Sequence, residues 1–345
     1  MTQATETDFD PAPLRDFLTG FLGRTVRSLS LKRTEGGMSN PTYFLDADGW
    51  RAVLRKQPAG PLAKSAHAID REYRILTALA GSEVPVPAAF HYHDDPGVLG
   101  TPFYLMEWLQ GRVFTEYAMP GTDPAERAAL YAAMAQAMAA IHTLDYRGRG
   151  LGDYGRAGNY FRRQISRWSQ FWAQVRQGDD DNPALDRMIA WLESRIPASE
   201  RLTLCHGDFR IGNMMFHPTE ARVIGVLDWE LSTLGHPLVD VAFNTQAWNM
   251  APDENGGLLG LDLPALGIPA EPDYLAQYYR LADAPEEMTD FHRVFAMFRG
   301  AVGSASVAAR GAQGLGTLPD SVRVGRFLAH AYATRGMQIA ERAHA

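Results

Sequence analysis

The sequence predicts an α+β protein, with a small antiparallel sheet in its first part and a mainly helical remainder. Three observations carry that expectation. Short apolar runs rich in β-branched and aromatic residues crowd the first hundred positions, parted by turn residues. Stretches with helical spacing fill most of the chain after Gly111, the first of them, Asp123 to Leu144, rich in Ala and Met. Two polar motifs flanked by short apolar runs, Leu204 to Asn213 and Val226 to Glu230, interrupt that helical part.

Taken in order, the acidic and polar residues 1 to 10 read as a loose end, and Asp10 to Phe21 as a short amphipathic helix. Strand patterns follow at Val26 to Leu31, Thr42 to Leu45 and Arg51 to Arg55, with a hairpin turn at Asp46 to Gly49. Ala66 to Leu79 has helical periodicity, and the alternating prolines of Val84 to Pro87 force extended chain. Phe103 to Leu109 is apolar and aromatic enough for a further strand. Beyond it, Asp123 to Leu144 predicts a long helix with Pro124 in its first turn. Helical pattern recurs at Tyr160 to Gln177, Pro183 to Ser194, Pro272 to Leu281, Pro285 to Ala309 and Asp320 to Ala343, while Pro252 to Pro272 reads as loop. The expected division is 1–107 and 108–345, with a hinge near Met106 to Gly111.

Composition narrows the class. A chain of 345 residues exceeds one compact core, and 46% hydrophobic with 21% charged residues is ordinary for a globular protein. No apolar run approaches the roughly 20 residues of a membrane helix, and the polar start lacks the pattern of a secretory signal. Cys205 is the one cysteine, which rules out an intrachain disulfide and a thiolate metal cluster. A cytoplasmic setting is the expectation. The net charge of -7 argues against nucleic-acid or membrane-surface partners, which call for a basic face.

The chemistry concentrates between 204 and 230. Asp208, Asn213 five positions on and Asp228 twenty positions on are what phosphoryl transfer from a nucleotide requires. One carboxylate takes the proton of the attacking hydroxyl. An amide and a second carboxylate offer the oxygens that magnesium prefers. The apolar runs Leu202 to Leu204, Met214 to Phe216 and Val223 to Leu227 supply short buried strands as supports. His206 reads as a packed histidine that bonds the loop backbone, and Asp240 as a support behind the loop. In the first part, Gly37, Ser39 and Asn40 lie in a glycine-bearing turn suited to phosphates. Arg55 and Lys56, on opposite strand faces, are alternative cations for those phosphates, and Glu72 is the helix carboxylate that would hold one of them. Glu107 and Leu109 could supply the backbone acceptor and donor that adenine needs. These residues together read as an ATP- and Mg2+-dependent kinase of a small molecule bearing a hydroxyl.

The same residues resemble the aminoglycoside phosphotransferase and choline kinase superfamily, in the motif His206-Gly207-Asp208 with Asn213 and in Asp228-Trp229-Glu230. The resemblance spans residues 25 to 310. Segments such as Val53 to Pro58, Ala66 to Tyr73, Gly100 to Tyr104, Tyr160 to Trp168 and Leu227 to Gly235 are more specifically similar to the kinase-like domain fused to acyl-CoA dehydrogenases and its free-standing bacterial relatives. What the resemblance implies is a protein-kinase-like two-lobed fold, with an N-lobe that binds nucleotide and a helical C-lobe that carries the substrate site. It further implies Asp208 as catalytic base, Asn213 and Asp228 on magnesium, and Arg55 at the phosphate-binding position.

For the acceptor, the likeness to that subgroup points to a hydroxyacyl compound or hydroxyacyl-CoA. Arg162, Arg163 and Arg167, or Arg293 and Arg299, would then meet its phosphates or carboxylate. Trp168, Phe171 and Trp172 would line a slot for the acyl chain, and Glu230 is a further candidate on the substrate side. The alternatives are an aminoglycoside or choline-like amino-alcohol kinase, for which the acidic residues of 271–290 could serve, and a catalytically silent nucleotide-binding protein. Oligomeric state is not legible in the sequence.

Overall fold

A computed structural model describes residues 7–34, 40–59, 68–176, 182–199, 201–284, 286–314 and 320–343. The chain is α+β and groups into two compact units. Unit 1 is Met1–Gln110 together with Ile224–Glu230; unit 2 is Gly111–Val223 together with Leu231–Ala345.

Unit 1 starts with α1 (Pro11–Leu22), whose first turn is capped by the Asp10 carboxylate accepting from the Ala12 N–H. Then come β1 (Leu29–Arg33), β2 (Thr42–Ala47), β3 (Trp50–Lys56), α2 (Ile69–Leu79), β4 (Ala89–His93) and β5 (Phe103–Glu107). The strands form one antiparallel sheet in the order β1-β2-β3-β5-β4. Alternation along the strands gives the sheet two faces. Tyr43, Leu45, Ala52, Leu54, Phe103 and Leu105 pack with Leu14 and Leu18 of α1. The residues between them, Arg55 and Tyr104 included, lie on the other face, where α2 places Glu72.

Two departures from the sequence expectation have plain causes. The strand β4 went unforeseen because Ala89–His93 is half-buried and mixes histidines with aromatics, so no apolar run marks it. The strand expected to reach Leu109 stops at Glu107, where the pairing of β5 with β3 ends at Ala52.

Unit 2 contains α3 (Pro124–Thr143), α4 (Tyr160–Val175), α5 (Pro183–Glu193), β6 (Thr203–Cys205) and β7 (Met214–Phe216); β8 (Val223–Val226) leads into the Ile224–Glu230 segment of unit 1. After it come β9 (Thr233–Gly235), α6 (Leu238–Thr245), the one-turn α7 (Leu263–Leu266) inside the expected loop, α8 (Glu271–Leu281), α9 (Asp290–Ala312) and α10 (Ser321–Arg342). Helix α9 starts at Asp290, later than the expected Pro285, because Thr289 caps it. The Thr289 N–H donates to His292 Nδ1 at 3.1 Å, within a capping box.

Helices α4, α5, α9 and α10 enclose the unit's apolar core, which includes Trp172, Leu185, Met188, Phe295 and Ile339. Glycines let α9 and α10 approach closely. A Cβ on Gly325 would lie 2.6 Å from the Ala308 amide nitrogen, and one on Gly300 2.8 Å from the Tyr332 ring. Among the described residues, no helix is long and apolar enough to cross a membrane.

Candidate active site

The sheet of unit 1 carries a charged cluster on its α2 face. Arg55 Nε stands 2.8 Å from Glu72 Oε2, and Arg55 Nη2 stands 2.8 Å from Asp228 Oδ1 and 3.9 Å from Glu230 Oε2. Glu72 is further held by the Asn40 amide, donating at 2.7 Å, and by the Tyr104 hydroxyl, donating at 3.0 Å. Burial opposes the charge on Arg55, but Glu72, Tyr104, Asp228 and Glu230 outweigh it and hold the guanidinium firmly protonated. Burial also pushes the Glu72 carboxyl up, and Arg55 draws it back.

Lys56, the rival cation, points to the opposite face of the sheet. It is 1% exposed, and its Nζ lies 3.0 Å from Asp8 Oδ2 and 5.6 Å from the centre of the Phe9 ring. Strand alternation therefore separates the two cations, and Arg55 is the one that shares a face with Glu72 and Asp228.

Asp228 has a left-handed backbone (φ 64), a conformation that Asp tolerates better than most side chains. The Val226 N–H donates to the Pro85 carbonyl at 2.8 Å, and the Trp229 indole N–H to the Val226 carbonyl at 2.9 Å. These bonds fix the approach to Asp228 within unit 1. Glu107 closes β5, donating its own N–H to the Ala88 carbonyl and accepting the Ala88 N–H on its carboxylate. The Leu109 side chain lies over Gly225, where an added Cβ would come within 2.4 Å of Leu109 Cδ1. Asn40 enters the cluster as Glu72's partner, whereas Gly37 and Ser39 lie outside the described residues.

In unit 2 the loop after β6 presents Asp208. Its Oδ2 accepts from Asn213 Nδ2 at 2.7 Å, and the same amide nitrogen donates to the Asp208 carbonyl at 2.9 Å. A one-turn 3-10 helix, Ile211–Asn213, makes this short reach possible. The loop is pinned from behind. Asp240, on α6, accepts the His206 N–H at 2.6 Å and the Gly207 N–H at 2.8 Å, and stands 3.3 Å from His142 Nε2. Burial pushes the Asp240 carboxyl up, but His142, His206 and the Gly207 N–H outweigh it, so the group sits below its ordinary range. His206 is fully buried and accepts the Asp208 N–H on Nδ1 at 3.2 Å. Gly207 needs to be glycine. Its φ is 85, and a Cβ there would lie 2.4 Å from the Leu231 carbonyl oxygen.

Arg299, a candidate for a ligand's phosphate or carboxylate, is turned to the protein instead. It is buried, donates to the Gly207 carbonyl, and lies 5.4 Å from the Trp168 ring centre and 5.2 Å from that of Phe243. Its charge serves the loop, and Trp168 is stacked beneath it. Arg163 donates to the carbonyls of Arg156 and Ala157, ahead of α4, while Arg162 is exposed. Trp172 is buried against the helical core with its indole N–H on Asp186. Glu230 belongs with the Arg55 cluster.

The sequence reading passed over His142 and Arg210. His142 lies on the buried face of α3, and its Nδ1 is 2.7 Å from the Tyr278 hydroxyl. Nothing local in the sequence marks it. Arg210 Nε lies 3.3 Å from Asp208 Oδ2, and Gly212 leaves room for its guanidinium, since a Cβ there would lie 2.8 Å from Nη1. The spacing Asp208 to Arg210 was available as a signal.

His142, Cys205 and Asp240 converge within 4.8 Å, yet they make a poor metal site. Burial pushes the Cys205 thiol well up, and both Asp240 oxygens already accept loop N–H groups. With Asn213 Nδ2 given to Asp208, the amide oxygen is the atom that a hard cation would take.

Comparison with known proteins identifies the family and the fold. The model of the phosphotransferase enzyme family (APH) matches residues 30–288. Acyl-CoA dehydrogenase family member 10 of Mus musculus is 40% identical over 292 residues, covering 83% of this chain and 27% of its own length. The Arabidopsis thaliana protein IBR3, named as a probable acyl-CoA dehydrogenase, is 41% identical over 77% of this chain and 34% of its own length. The chain thus spans about a third or less of these curated relatives. A crystal structure from Ralstonia eutropha, provisionally designated an aminoglycoside phosphotransferase, superposes with a TM-score of 0.85 at 38% identity, covering 97% of this chain and 99% of that one. Aminoglycoside phosphotransferase APH(4)-Ia, solved with ADP and hygromycin B, shares the fold with a TM-score of 0.60 at 18% identity, covering 97% and 100%.

Proposed function

Because the chain belongs to the phosphotransferase enzyme family and has its protein-kinase-like fold, we propose that it transfers the γ-phosphoryl group of ATP to the hydroxyl of a small molecule. The observation that carries this reading is the Asp208–Asn213 pair on a loop pinned by Asp240 and Arg299. A carboxylate fixed in this way is preorganised to accept the acceptor's hydroxyl proton. As the new O–P bond forms, the bond to the leaving oxygen breaks and ADP departs. Asn213 and Asp228 would each offer an oxygen ligand to Mg2+, and Arg55, kept charged and oriented by Glu72, would supply the cation for the nucleotide phosphates. Magnesium, when bound, neutralises charge on the phosphoryl oxygens. Glu107 and Leu109, at the end of β5, are the adenine-side candidates.

For the acceptor we favour a hydroxyacyl compound, free or on coenzyme A. The curated relatives that this chain matches are named as an acyl-CoA dehydrogenase family member and a probable acyl-CoA dehydrogenase, which supports an acyl-bearing acceptor. Among the acidic residues of 271–290 that could meet a polycation, Glu271 is 3.2 Å from Arg293, Asp290 is 3.3 Å from the same residue, and Glu286 is 3.1 Å from His236. Those three are engaged within the protein, whereas Asp273, Asp283 and Glu287 are exposed and remain for the aminoglycoside alternative. A silent, binding-only protein fits poorly with the presence of Asp208, Asn213, Asp228, Arg55 and Glu72 together.

The test is an ADP-release assay with magnesium and ATP across hydroxyacyl-CoAs, hydroxy acids, choline, sugars and aminoglycosides. Turnover on the hydroxyacyl class supports the full reading. Turnover confined to aminoglycosides replaces the acceptor, and silence across the panel with nucleotide still bound contradicts catalysis.

A further inference from the structure

Within unit 2, helices α4, α5, α9 and α10 leave a cavity of about 590 Å³ that shares no lining residue with the Asp208 loop. That volume lies in the range of small-molecule sites, roughly 300–1,000 Å³. Its origin is legible in the sequence. Ala305, Ala308 and Ala309 on α9 and Ala329 on α10 line it, so two long helices withhold side chains over the same space. Trp172 and Met337 complete an apolar floor. A wall of methyl groups, a thioether and one indole suits a flexible alkyl chain.

The lining is asymmetric in charge. Among the described lining residues, Arg176, Arg187 and Arg326 contribute three guanidinium groups and Glu341 one carboxylate, and each arginine already has an interaction within the protein. Arg176 lies 3.4 Å from Asp186, and Arg187 lies 3.9 Å from Glu341. Both pairs are more than a third exposed and so are weak enough to exchange partners. An apolar floor with a cationic edge favours a ligand that is apolar along its length and anionic at one end.

We infer that this cavity is a second small-molecule site, which binds an amphipathic anion: an alkyl or acyl chain of medium length ending in a carboxylate. It is independent of the phosphotransfer reading, because its evidence is a cavity and its charges, and its readout is binding.

Decanoate is the probe, titrated calorimetrically into the full chain, with decyltrimethylammonium as the mirror in charge. The expected result is saturable one-to-one binding of decanoate, with the cationic chain at least about tenfold weaker, a gap of about 1.4 kcal/mol. Ala305→Phe, at a half-buried position, should fill the cavity and weaken decanoate at least about tenfold. The exposed pair Arg187→Glu and Arg326→Glu should abolish the preference for the anion and leave the fold intact. It keeps the test decisive if Ala305→Phe fails to fold. Asp208→Asn should bind decanoate as the unchanged protein does. Absence of saturable binding, equal affinity for the two head groups, or unchanged affinity in folded Ala305→Phe would overturn the inference.

Discussion

Arg55 Nη2 lies 2.8 Å from Asp228 Oδ1, which joins two residues 173 positions apart on one face of the unit 1 sheet. The same guanidinium meets Glu72, so one cation is shared between a helix carboxylate and the aspartate proposed to bind magnesium. Arg55 is thereby oriented before any phosphate arrives.

Arg55→Ala should weaken nucleotide binding and also destabilise the fold. Glu72 is 2% exposed and would lose its countercharge, and removing one partner of a buried pair costs about 3–5 kcal/mol. Nucleotide titration together with urea unfolding checks both effects. Unchanged nucleotide affinity would assign the phosphates to Lys56 instead, although that side chain is buried against Asp8.

Asp240→Asn separates loop support from chemistry. The amide has one acceptor oxygen where the carboxylate offers two, so one of the His206 and Gly207 N–H groups is left without its partner. A loss of about 1–3 kcal/mol is expected in unfolding experiments, with turnover reduced and nucleotide affinity kept. Equal stability of the two proteins would show that the loop is held by other contacts.

His292 makes stability depend on pH. Burial, reinforced by His236 and Arg293, pushes its imidazole down to about 3 from an ordinary value near 6.5. The ring is neutral in the folded protein and accepts the Thr289 N–H on Nδ1. Between pH 3 and 6.5 the unfolded chain binds the extra proton, so this group's contribution is full above 6.5 and falls by roughly 1.4 kcal/mol per pH unit below it. His292→Gln retains a side-chain acceptor for the cap and should flatten the loss of stability from pH 6.5 to 4. An unaltered slope in chemical denaturation would remove His292 from the account.

The local features were the legible ones. The helix expected from Asp123 to Leu144 is α3, because Asp123 and Pro124 signal its start chemically and the Asp123 carboxylate accepts the Glu126 N–H. Met214–Phe216 appears as foreseen, since an apolar triplet between polar residues has few other uses. Asp208 and Asn213 were singled out together by their spacing of five, while the bond between them depends on a 3-10 turn that the spacing does not encode.

Long-range relations were not readable in this way. Spacing offered Arg55 and Lys56 on opposite faces but not which face holds Glu72; that depends on how α2 lies on the sheet. Arg299 was misassigned because a cation in a sequence does not reveal whether its partner is an anion or a backbone carbonyl. The segment Ile224–Glu230 groups with unit 1 through contacts such as Val226 with Pro85, 141 positions apart by their numbers, which no local pattern encodes.

The most direct test of the central claim is to measure phosphoryl transfer and nucleotide affinity side by side in the wild-type chain and Asp208→Asn. The substitution removes a proton acceptor and no phosphate contact. Turnover should fall by at least about a hundredfold with nucleotide affinity nearly unchanged. Turnover retained in Asp208→Asn would contradict the assignment of Asp208 as the base, and with it the proposed mechanism.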